Sequence, residues 1–214
     1  VENASTQTIT GTRPADRQTG DLIVATFVMS CAPGNFTGPG GSWAELFAPF
    51  LVNDNDTLAA YYQRDPSADP TTTTTEAAGR VSAICQAYGG VSGVPVDVAA
   101  ATATTSPYGT SLAVGGITTV TDGALLISGC AVDSSSAVLT KPASMTMVAN
   151  ASGGGDGRGL AVADETFATA GATGTRTWSH GGASLGMGAF LVALRPARSG
   201  PPTSHRPMTI WRIS

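Results

Sequence analysis

The chain has 214 residues, 42% of them hydrophobic but only 12% charged and 6% aromatic, with a formal net charge of −4 and a pI near 5.0. That hydrophobic content belongs to a folded domain rather than a disordered chain. The acidic balance argues against a broad basic nucleic-acid surface, and no apolar run approaches the roughly 18 residues of a membrane span.

Scarce Glu, Lys and Arg also disfavour long solvated helices, while abundant Thr and Val with 27 Gly and 13 Pro suit strands and turns. No leader-like segment opens the chain, which begins at Val1. Residues 1–19 are polar and irregular and read as an N-terminal arm. Leu22 to Met29 is an apolar run rich in β-branched residues, the mark of a central strand covered on both faces. Pro33-Gly34 and Gly38-Pro39-Gly40-Gly41 punctuate turns, and Trp43 opens the next strand. Asn53-Asp54-Asn55-Asp56 reads as a solvated hairpin loop before a strand from Leu58 to Gln63. Pro66 and Pro70 precede the run Thr71 to Thr75, and Val81 to Tyr88 is a second strongly apolar strand.

Gly89 to Tyr108 reads as a long link, with Pro95 and Pro107 keeping it from being one regular strand. Beyond it the pattern starts again. Gly20-Asp21-Leu22-Ile23-Val24 returns as Gly123-Ala124-Leu125-Leu126-Ile127, Trp43 aligns with Met145, and Leu58 to Tyr61 with Leu160 to Ala163, at an offset of 102 to 103 residues. Gly153 to Gly159 then takes the place of the Asn53 to Asp56 loop, and Ala189 to Leu194 that of the second apolar strand. A repeat this long is no solenoid unit. The expectation is an all-β, jelly-roll-like antiparallel β-sandwich built from two sequence-similar halves, about 20–91 and 123–195, within one domain spanning 20–197.

Residues 198–214 read as a basic, Pro-rich C-terminal arm. The last twenty residues hold Arg195, Arg198, Arg206 and Arg212 and no acid, which leaves the body near −8. The apolar positions Met208, Ile210, Trp211 and Ile213 make the arm's end either an assembly strand that docks on a neighbour or, otherwise, a strand packed back on its own body or a disordered end.

The residues offer little chemistry. Gly182-Ala183-Ser184-Leu185-Gly186 matches a nucleophile elbow, but no acid follows Ser184 and the next run is strand-like, so it is rejected as catalytic. His180 and His205 lack ligand-spaced partners and read as surface residues, and Asn53 to Asp56 lacks the glycine and distal glutamate of a calcium loop. Neither a catalytic, a cofactor nor a metal site is expected. Cys31, Cys85 and Cys130 are too few for a disulfide framework; Cys85 reads as a buried thiol, and Cys31 and Cys130 could approach one another. Asn3, Asn35, Asn55 and Asn150 begin glycosylation-type triplets, which are cheap in a chain this rich in Ser and Thr. Trp43, Trp178 and the Tyr61-Tyr62 pair could form a sugar-stacking platform. The match of Trp43 to Met145 at a strand start favours core packing for it, which leaves Trp178, Tyr61 and Tyr62 as the candidate residues for a glycan platform.

Gly20-Asp21-Leu22-Ile23-Val24, Gly41-Ser42-Trp43-Ala44-Glu45-Leu46, Leu58-Ala59-Ala60-Tyr61-Tyr62-Gln63-Arg64 and Ala83-Ile84-Cys85-Gln86-Ala87-Tyr88-Gly89-Gly90-Val91 together resemble a pattern found in β-sandwich structural proteins of tailed bacteriophages: head decoration, minor tail and fibre-associated proteins. The likeness spans about residues 18–197. It implies a non-enzymatic virion protein, most simply a capsid decoration protein or a minor tail component. Its partners would be further copies of itself, as a trimer, and the major capsid or tail protein, with no nucleic acid, membrane or cofactor. The alternatives are a carbohydrate-binding adhesin and an extracellular filament subunit.

Overall fold

The computed structural model describes residues 7–53, 55–75, 80–105, 108–151, 158–197 and, by backbone alone, 203–213. These residues form sixteen strands, one short 3-10 turn and no α-helix. The first eight strands are β1 (Gln7–Thr10), β2 (Leu22–Met29), β3 (Phe36–Thr37), β4 (Ala44–Leu51), β5 (Thr57–Arg64), β6 (Thr71–Thr74), β7 (Val81–Gly89) and β8 (Val91–Thr104). The second eight are β9 (Ser111–Val114), β10 (Ala124–Val132), β11 (Leu139–Thr140), β12 (Thr146–Asn150), β13 (Gly159–Phe167), β14 (Arg176–His180), β15 (Met187–Pro196) and β16 (Thr203–Ile213).

Two five-stranded antiparallel sheets form the body, ordered β16-β7-β2-β5-β4 and β8-β15-β10-β13-β12. Adding eight to each strand number of β7-β2-β5-β4 gives β15-β10-β13-β12, so the two sheets share one order. The outermost partners of β7 and β15 are exchanged. β8 follows β7 in sequence but pairs with β15, and β16 follows β15 but pairs with β7. Two three-stranded sheets, β1-β6-β3 and β11-β14-β9, complete the fold.

Alternation along the strands explains the layering. Leu22, Val24 and Val28 of β2, with Ile84 and Tyr88 of β7, share one core with Leu125, Ile127, Phe190 and Val192 of the opposing sheet. The intervening residues Ala25 and Phe27 point the other way, into a cluster with Ala83, Cys85 and Trp43. Met29 meets Ile9 of β1 and Cys31. On the far side, Leu126, Cys130 and Leu191 pack under Leu112, Leu139 and Trp178 of the second small sheet. Each main sheet is therefore covered on both faces, which is why β2, β7 and β10 are buried along their whole length. Gly129 is required by this packing: a Cβ there would lie 2.4 Å from the Phe190 ring.

Two expectations change, and the alternative left open for the C-terminal arm is decided. The link from Gly89 contains the fourteen-residue strand β8. Pro95 is tolerated because β8 is an edge strand, and Pro95 lies where its register with β15 shifts, between Val91↔Pro196 and Val96↔Leu194. The N-terminal arm contains β1, paired with β6 from Gln7↔Thr74 to Thr10↔Thr71. The C-terminal arm contains β16, which runs along β7 of its own chain from Thr203↔Gly89 to Ile213↔Val81, with Pro207 inside a register shift. No helix among the described residues is long and apolar enough to cross a membrane.

Candidate functional site

The glycan platform expected from Trp178, Tyr61 and Tyr62 does not assemble. Trp178 is fully buried under the small sheet, and its indole Nε1–H donates to Ser128 Oγ at 2.9 Å. Tyr61 and Tyr62 are consecutive on β5 and so face opposite ways. Tyr61 is only 4% exposed and sits beside Phe36 with ring centroids 6.1 Å apart, whereas Tyr62 packs against the core between the sheets. The Tyr61 phenol is pushed well above its ordinary pKa by burial and by Glu45, whose Oε1 it reaches at 3.4 Å.

The side chains of Met208, Ile210, Trp211, Ile213 and His205 lie outside the described residues, as do residues 152–157 and Asn3. His180 is buried rather than on the surface, with its two ring nitrogens 3.0 and 3.1 Å from the carbonyl oxygens of Gly181 and Gly109. It braces two loops. Ser184 is followed by Leu185, bridged to Gly109, and then by β15, so the helix of a nucleophile elbow is not built there. Cys31, Cys85 and Cys130 are all free and buried. Burial pushes Cys85 up to about 12 and raises Cys130 as well.

In the Asn53–Asp56 loop Asn55 is exposed but Asp56 is buried rather than solvated. Asn53 Oδ1 accepts from the backbone N–H groups of Asn55 and Asp56 at 2.9 and 2.7 Å, an Asx-type turn that leaves Asp56 pointing inward. There the fully buried Asp56 carboxylate accepts from Asn53 Nδ2, Ser30 Oγ and Arg158 Nε at 2.8, 2.9 and 2.8 Å. Arg158 also pairs with Asp133 and donates to Ser30 Oγ at 3.0 Å, while its carbonyl accepts from Ser82 Oγ at 2.5 Å. Burial and the neighbouring Asp56 raise the Asp133 carboxyl above its ordinary range, against the pull of Arg158. The oxygens that could hold a cation are thus turned on an arginine, and the cluster joins the two halves. No group of three or more His, Cys, Asp or Glu suited to a metal occurs among the described residues.

The motif residues meet at the other end of the first sheet. Arg64, at the end of β5, donates to the carbonyls of Gly20, Val91 and Ser92, the last two at 3.0 and 2.7 Å. Asp65, held at φ 44°, accepts from Gly20 N at 2.5 Å and donates its own N–H to Asp21 O at 3.1 Å. Gly20 and Gly90 take φ of 92° and 68°, conformations closed to most other residues. Three of the four motifs therefore meet in one hydrogen-bonded corner.

Near that corner lies an open cleft of about 290 Å³ between the Pro39–Trp43 turn, Gln63 of β5 and the Ser67–Thr71 turn. Trp43 is half-buried against the Ala25–Phe27–Cys85 cluster and lines the cleft with Ser42, Gln63, Ser67, Asp69 and Thr71. Asp69 Oδ1 is fixed by Arg13, through its backbone N at 3.1 Å and Nε at 2.7 Å. Burial raises the Asp69 pKa, but those hydrogen bonds and the Arg13 charge outweigh it and hold the group below its ordinary range. Sequence reasoning weighed Trp43 as a sugar-stacking residue and preferred the core because the repeat matches it to Met145; the structure leaves it half-buried.

Comparison with protein-family models, with curated proteins and with solved structures returns no match.

Proposed function

We propose that this chain is a non-enzymatic structural protein of a tailed-bacteriophage virion, a head decoration protein or a minor tail component. The observation that carries the reading is the convergence of the resembling motifs. Gly20, Arg64, Asp65, Gly90 and Val91 are spent on one corner that ties β2, β5, β7 and β8 together. A pattern whose residues brace a scaffold suits a structural protein. Two charged clusters, Asp56–Arg158–Asp133 and Asp97–Arg195, likewise bind one element to another.

The assembly proposed is a homo-oligomer, a trimer, seated on a lattice of major capsid or tail protein. Low charge for its size leaves neutral surface suited to packing against neighbours. Native mass measurement and co-sedimentation with expanded phage heads and with isolated tails test it. The expected result is a trimer that sediments with one of the two. A monomer at micromolar concentration that sediments with neither would overturn the proposal.

A further inference from the structure

The two halves can be compared position by position, and they differ most at the Trp43 cleft. β4 pairs with β5 through Ala44↔Tyr62, which sets Trp43 opposite Gln63; β12 pairs with β13 through Thr146↔Asp164, which sets Met145 opposite Glu165. Thr71 opens β6 just as Arg176 opens β14. In the second half this place is plugged. Met145 is 2% exposed, and Arg176 donates to Glu165 and, at 2.6, 3.2 and 3.1 Å, to the carbonyls of Thr173, Gly174 and Thr175. In the first half Gln63 and Thr71 replace the ion pair, an indole replaces the thioether, and the space stays open. The fold does not need the opening, because its other copy closes it.

From this contrast we infer that the Trp43 cleft is a binding site for a neutral saccharide. A pyranose has an apolar face of C–H groups and a rim of hydroxyls, and the cleft offers a matching set. The Trp43 indole, held from behind by the cluster it packs on, supplies a rigid apolar surface. Among the described residues the Gln63 amide and the second Asp69 oxygen have no hydrogen-bonding partner within the chain, so both can face hydroxyls. Ser42, Ser67 and Thr71 add groups that both donate and accept. An ionised Asp69 accepts from sugar hydroxyls and repels carboxylated or sulfated sugars, so the ligand class is neutral hexose or N-acetylhexosamine. A volume of about 290 Å³ lies at the lower end of small-ligand sites and suits about one ring, the rest of an oligosaccharide lying outside. The site stands independently of the virion reading.

The test is a glycan array bearing neutral hexose and N-acetylhexosamine oligosaccharides beside uronic-acid and sialylated ones, followed by titration of the full chain with the best neutral binder. Trp43→Ala is expected to weaken that binding at least about tenfold. The double substitution Gln63→Glu, Thr71→Arg transplants the plug of the second half; it is expected to abolish binding while leaving the melting temperature unchanged or higher, which separates a filled site from a misfolded one. Preference for acidic glycans, absence of any neutral binder, or binding that survives the plugged variant would each overturn the inference.

Discussion

Arg158→Met is the most informative perturbation of the fold. Asp56 has no exposed surface and its pairing with Arg158 spans 102 residues, from the loop after β4 to the residue before β13. Removing one member of a buried pair leaves the other charged and desolvated, at a typical cost of about 3–5 kcal/mol. Asn53 and Ser30 still donate to Asp56, which puts the expected loss at the lower end, about 3 kcal/mol. The Asp133 contact adds little, because that carboxylate is 30% exposed. For a chain of this length about 3 kcal/mol corresponds to roughly 6–12 °C in melting temperature. Urea unfolding followed by tryptophan fluorescence measures it, with a lowered midpoint and an unchanged slope. The double variant Asp56→Asn, Arg158→Met should recover much of the loss, because no buried charge is then left unpaired. A single-variant loss under about 1 kcal/mol, or strict additivity in the double variant, would refute the reasoning.

Other outcomes follow from the same geometry. Asp97 is driven upward by burial, but Thr121, Val120 and Arg195 outweigh that and depress its pKa; its stabilisation is present above the ordinary carboxylate value and lost as pH falls through the depressed one. Asp133 is raised, so its contribution is full below the ordinary value and is lost as pH rises through the raised one. Urea midpoints between about pH 2 and 7 should therefore show a shallower acid limb for Asp97→Asn and a stability gain toward neutral pH for Asp133→Asn. Deleting residues 198–214 removes the strand paired to β7 and uncovers that edge, so the truncated chain should melt lower and aggregate on light scattering. The three buried thiols should stay unreactive toward a disulfide reagent in the native protein and all react in urea.

The continuous apolar runs of β2, β7 and β15 disclosed themselves because strands covered on both faces need no polar alternation. What covers them did not. The small sheets are strands of two to five residues, and nothing local distinguishes Trp178 under such a cover from an indole facing solvent. β8 was hidden by Pro95, whose meaning depends on whether its strand lies at an edge, a property of topology rather than sequence. The Asp56–Arg158–Asp133 cluster draws its members from three separate loops, and an ion pair leaves no periodic trace. Trp43 was visible in the sequence as an indole that could stack on a sugar, but its cleft became legible when β4–β5 and β12–β13 could be compared for what each leaves open.

Exchange of β8 and β16 means that neither half is self-sufficient. Residues 1–105 contain β1 to β8 but no β15 for β8 to join, and their β7 lacks its outer neighbour. Two such fragments could supply each other's missing edge, so the native molecule has the organisation of a strand-swapped dimer whose subunits have been joined head to tail. On a ribosome the first sheet would wait for residues 203–213 before its β7 edge closed. Folding is thereby coupled to synthesis of β16, and a product that stops short of it carries an open edge.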